Sequence, residues 1–475
     1  MLRIVLAAIA GVVFNLSYDH VQWLLAIISI STLIGLLNSD SRKLRLLVIV
    51  AFYGTYWALV IDWIRVLGSL PWVLLTLICT VPYLALGMQR PHIYRLSGVL
   101  TVAGVFVLAE YVHANFPWEG FPWGLLAYTQ THGPLMVFAR VGGQYLVTVV
   151  AVLLAATFAR LWSFRSWIRI IFLGGVVSLL QIFLVDQQIT TTVRVAAIQG
   201  SVPRVGYDLE TQRRAVLENH LAATRNLISR GHSDVDLVVW PENAVDNDPL
   251  NNIYVRNRVS DVSQQLSAPL LVGGVIANKE SGTQLNAGIM WSDGTPGELY
   301  AKHQLVPFGE YVPLERFVKP YVERFFYELP RMVPGDTKGT FTLNNGVIFG
   351  DVICFEIANE EYVRKRVNDG AQFITVQTNN ATYEYTSQPE QQLNITRFRA
   401  IENQRDIVVA ATTGHTVIIT AQGDLQQELQ PLKQGYIVDD VAASDGKQLV
   451  HRWGSSWVIV LSLISAVFGL RKYRK

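Results

Sequence analysis

Three short segments of this chain carry side chains that could do covalent chemistry together. Trp240-Pro241-Glu242 supplies a carboxylate, and Ile353-Cys354-Phe355-Glu356 supplies a thiol. Between them, Lys302-His303-Gln304-Leu305-Val306-Pro307-Phe308-Gly309-Glu310-Tyr311 supplies an amine. Each group follows a run that reads as a strand: Asp236–Val239, Gly297–Ala301 and Val347–Ile353. Pro241 ends its ladder, which puts Glu242 at a strand end, where α/β folds usually place their sites.

These groups are the ones that an amide- or ester-processing thiol enzyme needs. A free thiol, with a pKa near ~8.5, is a poor nucleophile in its neutral form. A carboxylate within reach can take its proton, and a neighbouring ammonium favours the thiolate. The same ammonium can stabilise the oxyanion of a tetrahedral intermediate, with the backbone N–H after the cysteine as a second donor. Glu310 and Glu356 could position Lys302 or the acceptor. Taken singly, each feature has a commoner reading: a loop carboxylate, a solvated lysine, a buried structural cysteine. His303 is a weaker alternative base. The sequence shows no metal-ligand cluster, phosphate-binding glycine loop or Ser-His-Asp order, so no metal or cofactor is expected.

The elements that must hold these groups divide the chain unevenly. Of its 475 residues, 51% are hydrophobic. Residues 1–188 contain 11 Lys/Arg and 6 Asp/Glu, while residues 189–475 contain 28 and 31. That split indicates a membrane part followed by a soluble part, and the net charge of +2 gives no reason to expect a nucleic-acid partner. Cys79 lies in an apolar run and Cys354 is the only thiol of the soluble part, so no disulfide between them is expected.

Apolar segments at 4–19, 22–37, 46–62, 71–88, 97–113, 134–158 and 169–186 predict about seven transmembrane helices in an N-terminal membrane domain, residues 1–188. An eighth, at 455–470, falls in a C-terminal piece, residues 453–475, that ends in a basic tail. Basic clusters at Arg42/Lys43/Arg45, Arg90/Arg95, Arg160/Arg165/Arg169 and Arg471/Lys472/Arg474/Lys475 all fall on one side of an eight-span bundle. The positive-inside rule makes that side cytoplasmic, which puts the domain at 189–452 outside the cell membrane. Within it, short apolar runs alternate with amphipathic stretches such as Leu209–Ser229 and Gln388–Arg405, the pattern of an α/β domain. The loop Phe116–Trp123 gathers Phe116, Trp118, Phe121 and Trp123, a set that could guide lipid or simply anchor at the interface.

The order Glu242, Lys302, Cys354, with WPE, KHQLVPFGEY and ICFE around them, resembles the nitrilase superfamily. The many apolar segments, Tyr56-Trp57 and the loop Gly120-Phe121-Pro122-Trp123-Gly124 resemble one family within it, the apolipoprotein N-acyltransferases. The resemblance implies an αββα sandwich outside the cytoplasm. It implies transfer of a fatty acyl chain from a phospholipid to the free amino group of a diacylglyceryl-cysteine lipoprotein. By position, Glu242 matches the family's general base, Lys302 its oxyanion-stabilising lysine and Cys354 its acylated nucleophile. Glu310 and Glu356 match two further essential glutamates. Phe355 stands where the family has tyrosine, Tyr207 where it has a tryptophan, and Asn379-Asn380-Ala381-Thr382 where it has Asn-Asp-Ala-Trp. Tyr207, Phe121 and Trp123 are the expected lipid-contact residues. The competing expectations are a membrane-tethered amidase that gives its thioester to water, and a non-catalytic receptor that keeps the fold.

Overall fold

The computed structural model describes the chain apart from residues 89, 91, 93, 161–163, 185–187, 203–208, 233, 279, 314, 317–330 and 473–475. Tyr207 therefore lies outside the described residues. The chain forms two compact units. One comprises Met1–Asp186, Thr386–Glu402 and Lys447–Lys475, the other Gln187–Tyr385 and Asn403–Gly446.

The first unit is helical. Its elements are α1 (Leu2–Asp19), α2 (Trp23–Leu36), α3 (Arg42–Val60), α4 (Ser69–Thr80), α5 (Leu84–Met88), α6 (Leu96–Asn115), α7 (Ala139–Phe158) and α8 (Phe164–Phe183). Among the described residues, five stretches are long and apolar enough to cross a membrane: Leu2–Asp19, Arg42–Val60, Ser69–Met88, Leu96–Asn115 and Pro134–Phe158. Three other apolar helices are shorter, Trp23–Leu36, Trp167–Phe183 and Ser456–Gly469.

Burial in α1 runs opposite to that of a soluble helix. Ala7, Ala10, Phe14 and Tyr18 are buried, while the apolar Val5, Ile9, Val12 and Leu16 face outward. An apolar outer stripe at helical spacing is what lipid requires. Inside, aromatic rings fill the core, with Tyr53 and Tyr83 stacked at 3.7 Å between centroids. The basic residue Arg45 is buried, its guanidinium donating to the carbonyls of Ser39, Asp40, Gly87 and Met88.

Among the described residues, the second unit contains two six-stranded sheets. Its strands are β1 (Ile189–Gln199), β2 (Leu237–Val239), β3 (Leu270–Asn278), β4 (Thr283–Ser292), β5 (Thr295–Ala301), β6 (Thr340–Thr342), β7 (Ile348–Ile353), β8 (Phe373–Thr378), β9 (Ile407–Ala411), β10 (Thr416–Ile419), β11 (Leu425–Leu429) and β12 (Gly435–Ser444). The orders are β12-β1-β2-β3-β4-β5 and β11-β10-β9-β8-β7-β6. One core joins the two sheets face to face, with Val195, Leu237, Leu271 and Met290 against Phe349, Ile353, Phe373 and Val408. The far face of the first sheet packs under α9 (Leu209–Ser229) and α10 (Ile253–Gln265), through Leu217, Leu221, Val255 and Val259. Helix α11 (Glu360–Asn368) follows β7. This is the layered α/β sandwich expected of a nitrilase-like domain.

Strand direction gathers the chemistry. β2 and β3 are parallel, and two antiparallel steps through β4 bring β5 back to their direction. In the other sheet β7 and β8 are parallel. Glu242, Lys302 and Cys354 each follow the carboxyl end of their strand, where open α/β sheets bind ligands.

Between β8 and β9 the chain forms α12 (Gln388–Asn403), and Thr386–Glu402 belongs to the helical unit. There the Gln391 carboxamide oxygen accepts from the indoles of Trp63 and Trp123, and its amide donates to Asp19 and the Val60 carbonyl. Arg399, wholly buried, pairs with Glu402 and donates to Tyr128 and Gln144. The last helices are α13 (Leu449–Trp453) and α14 (Ser456–Lys472).

Candidate active site

Glu242 leaves the end of β2 in a fixed pose. The indole of Trp240 donates to the Thr224 hydroxyl at 2.9 Å, and the backbone carbonyl of Glu242 accepts from Thr412 at 3.0 Å. Gly273 on β3 faces this turn. A Cβ there would lie 2.0 Å from the Pro241 carbonyl oxygen, so only glycine lets the two segments approach. One oxygen of the Glu242 carboxylate accepts from the Asn379 N–H at 2.9 Å. The other accepts from Asn286 at 2.7 Å and faces Lys302.

Lys302 is 1% exposed and its ammonium stands between two carboxylates, 3.2 Å from Glu242 and 3.0 Å from Glu310. The turn after it is built to hold Glu310. The N–H groups of Gly309 and Glu310 return to the Val306 carbonyl, and the Val306 N–H donates to the Glu310 carboxylate at 2.7 Å. Burial works to lower the Lys302 pKa, but Glu242 and Glu310 more than reverse it, so the amine is held as a cation.

Cys354 follows β7 in a left-handed conformation, φ 53°, that is costly for a residue with a Cβ. Its thiol hydrogen-bonds to Thr378 at the end of β8. Burial, with Glu242 adding to it, pushes the thiol up to about 12, against the lowering effect of Lys302 and Thr378. The cation therefore does not prepare a thiolate in advance. Burial and Glu242 favour the neutral thiol, so a base placed to take its proton would assist attack.

Glu356 joins the lysine segment to the cysteine turn. One of its oxygens accepts from the Tyr300 hydroxyl at 2.7 Å, the His303 N–H at 2.8 Å and the Gln304 N–H at 3.2 Å. The other accepts from the Ile353 N–H at 2.8 Å. His303 is half-buried, its Nε2 lies 2.9 Å from the Thr337 carbonyl, and burial lowers its pKa. Phe355 follows the cysteine, half-buried. Among the described residues no three His, Cys, Asp or Glu side chains converge to hold a metal.

The structure thus brings Glu242, Lys302, Glu310, Cys354 and Glu356 into one unit. Phe121 and Trp123 belong to the helical unit, where their rings stack at 6.0 Å and Trp123 is buried against Gln391. The exposed aromatics of that loop are Phe116 and Trp118.

Residues 10–157 match the profile of the apolipoprotein N-acyltransferase N-terminal domain, and residues 194–449 that of the carbon-nitrogen hydrolases. The chain is 32% identical over 443 residues to the apolipoprotein N-acyltransferase of Mycolicibacterium smegmatis, covering 85% of this chain and 73% of that one. The chain belongs to the apolipoprotein N-acyltransferase family. It is 26% identical over 504 residues to the enzyme of that name from Vibrio parahaemolyticus, covering 98% and 97%. It is 25% identical over 511 residues to that of Vibrio cholerae. Membership makes it a membrane-associated acyltransferase of the nitrilase superfamily.

Three further residues of this candidate site were not evident in the sequence. Asn286 on β4 donates to both Glu242 and Glu310, at 2.7 and 2.9 Å. Its signal was a lone amide in the apolar run Leu285–Trp291. Thr378 touches the thiol, and the Tyr383 phenol is pushed up to about 12 by burial and by the nearby Cys354. Tyr383 follows Thr382, in the segment where the family's Asn-Asp-Ala-Trp would end.

Proposed function

We propose that this enzyme moves a fatty acyl chain from a phospholipid, through a thioester on Cys354, to the N-terminal amino group of a diacylglyceryl-cysteine lipoprotein. Glu242 takes the thiol proton as sulfur attacks the ester carbonyl. The Lys302 ammonium and the Phe355 N–H stabilise the oxyanion, and the lysolipid alcohol leaves with the proton from Glu242. The acceptor amine then attacks the thioester through a second such intermediate, the C–S bond breaks, and the amine proton passes through Glu242 to the sulfur, giving an amide and the Cys354 thiol. The observation that carries this reading is the buried Glu242–Lys302–Glu310 cluster in one unit with a thiol at a strand end. The test is incubation with labelled phospholipid without acceptor. A hydroxylamine-labile label is expected on the protein and absent from Cys354→Ala. A label that persists in that variant rejects Cys354 as the nucleophile.

The donor and acceptor both reside in lipid, and the helical unit carries the apolar outer stripe described above. In this reading the chain spans the cell membrane about eight times, and residues 189–452, which include the catalytic sandwich, are extracytoplasmic, with both termini cytoplasmic. The four basic clusters support that orientation. A cysteine placed at exposed Gln422, in a variant lacking both native thiols, should react with an impermeant maleimide in intact cells. Reaction only after lysis would reverse the topology.

A further inference from the structure

A second polar group lies beneath the catalytic cluster, inside the core between the two sheets. Asp351 on β7 and Thr375 and Gln377 on β8 are fully buried, with alternation that places them on the face carrying Phe349, Ile353 and Phe373. The Thr375 hydroxyl donates to Asp351 Oδ1 at 2.7 Å. The Gln377 amide Nε2 donates to the Trp240 carbonyl at 2.6 Å. That carbonyl is two residues from Glu242. Two oxygens are then left without a hydrogen-bond partner, Asp351 Oδ2 and Gln377 Oε1.

These two oxygens converge. A Cβ built on Gly288 of β4 would lie 2.4 Å from Gln377 Oε1 and 2.7 Å from Asp351 Oδ2. Reversing the Gln377 amide does not help. It would aim Oε1 at the Trp240 carbonyl, oxygen against oxygen. The carboxamide oxygen therefore faces the same point beside Gly288 as Asp351 Oδ2, the two lie at most 5.1 Å apart, and a proton on the carboxyl group would supply the donor that both lack. A Cα–H of Gly288 is too weak a donor to serve both.

We propose that Asp351 is a neutral carboxylic acid whose O–H donates to Gln377, and that this strut across the sandwich positions Glu242. It runs from Asp351, three residues before Cys354, through Gln377 to the Trp240 carbonyl. It therefore ties the strand that carries the nucleophile to the strand that carries the base. Asp351 is a positioning residue, and its effect on the reaction rests on Glu242 acting as that base.

The surroundings agree with a neutral acid. Burial pushes the Asp351 carboxyl up to about 8, and Glu356 adds to that, against Thr375 and Arg366. Among the described residues, Arg366 of α11 is the cation that acts on it. Its Nε donates to the Asp351 backbone carbonyl at 2.8 Å, its guanidinium lies 4.4 Å from the centroid of the Tyr300 ring, and its two Nη atoms have no hydrogen-bond partner. The cation is not spent on the carboxyl group. Tyr300, from β5, is occupied with Glu356. If Asp351 ionised, two acceptors would face each other. Gln377 would then turn its amide to the carboxylate and release the Trp240 carbonyl.

The test uses full-length enzyme in detergent with two independent readouts. Infrared spectra should show a protonated carboxyl band at neutral pH that disappears in Asp351→Asn and shifts in Thr375→Val. Single-turnover acylation by labelled phospholipid should fall about 10- to 100-fold in Asp351→Val, the loss expected for a misplaced catalytic group. It should recover in Asp351→Asn, whose amide can donate to Gln377 and accept from Thr375. The wild-type rate should also fall on the alkaline side where Asp351 ionises, and Asp351→Asn should lack that fall. A carboxyl band unchanged in both Asp351→Asn and Thr375→Val overturns the neutral acid, as does an alkaline limb unchanged in Asp351→Asn. Equal rates for the Val and Asn variants overturn the strut. The infrared result does not depend on Glu242 being the base, so failure of that role would be seen separately.

Discussion

The Tyr300 hydroxyl donates to the Glu356 carboxylate at 2.7 Å, and both groups are buried. Because the same carboxylate receives the backbone of His303, Gln304 and Ile353, it fixes the lysine segment relative to the cysteine turn. All four contacts are donated to Glu356, so this site needs an acceptor on both oxygens.

Glu356→Gln should therefore be more harmful than Tyr300→Phe. A glutamine nitrogen at either position faces an N–H or O–H donor, and a buried unsatisfied donor costs about 1–3 kcal/mol. Loss of the tyrosine hydroxyl removes one hydrogen bond of about 1 kcal/mol. Thermal unfolding monitored by fluorescence should rank them in that order, and the reverse order rejects the joint described here.

Lys302→Arg should lose about 10²–10³-fold in acylation rate, because a planar guanidinium cannot occupy the compact point between Glu242 and Glu310. Donor binding should persist. Binding that falls in step with the rate would make Lys302 a phosphate anchor instead. Lys302→Met should also destabilise the fold by about 3–5 kcal/mol, since it strands two buried carboxylates.

Asn286→Asp places a third carboxyl beside Glu242 and Glu310. Its repulsion should displace Glu242, the base in the proposed mechanism, and lower the acylation rate by about 10- to 100-fold. Asn286→Asp at wild-type rate would show that the amide only fills space.

The Cys354 thiol should keep gaining reactivity with pH. Burial raises its pKa to about 12, so the thiolate fraction rises through alkaline pH with no plateau at the ordinary value near ~8.5. Alkylation rates by a small iodoacetamide should follow that line and be slower in Lys302→Met, which lacks the lowering cation. A plateau below about pH 9 would mean that the thiol is not raised.

In the helical unit, Trp123→Phe and Gln391→Leu should be non-additive. Each removes the same 2.7 Å hydrogen bond, about 1 kcal/mol, and the leucine also abandons Trp63 and Asp19. Additive losses of thermal stability would mean that the two side chains do not share an interaction.

Much of the site was legible because its groups obey local rules. Glu242, Lys302 and Cys354 each end an apolar run, and Pro307-Phe308-Gly309-Glu310 marks a rigid turn. The parts that were not legible depend on partners far away in sequence. Asn286 reads as a polar interruption of a strand until Glu242 and Glu310 arrive from other segments. The amphipathic stretch Gln388–Arg405 gave no sign that Gln391 and Arg399 would pack with α1, α3 and α7. Asp351 lies unremarked inside the apolar run Val347–Ile353, and only the unpartnered Gln377 oxygen points to its proton.

The pairing of β1 with β12 has a consequence for how the protein is made. Ile189 lies opposite Ser444, so the strand that opens the sandwich waits for the strand that closes it, more than two hundred residues later. Until Gly435–Ser444 emerges, Val193–Gln199 is an open sheet edge able to pair with another nascent chain. Synthesis that halts before Gly435 should therefore yield an aggregating fragment, and the sandwich unit cannot close before Gly435–Ser444 has been translated.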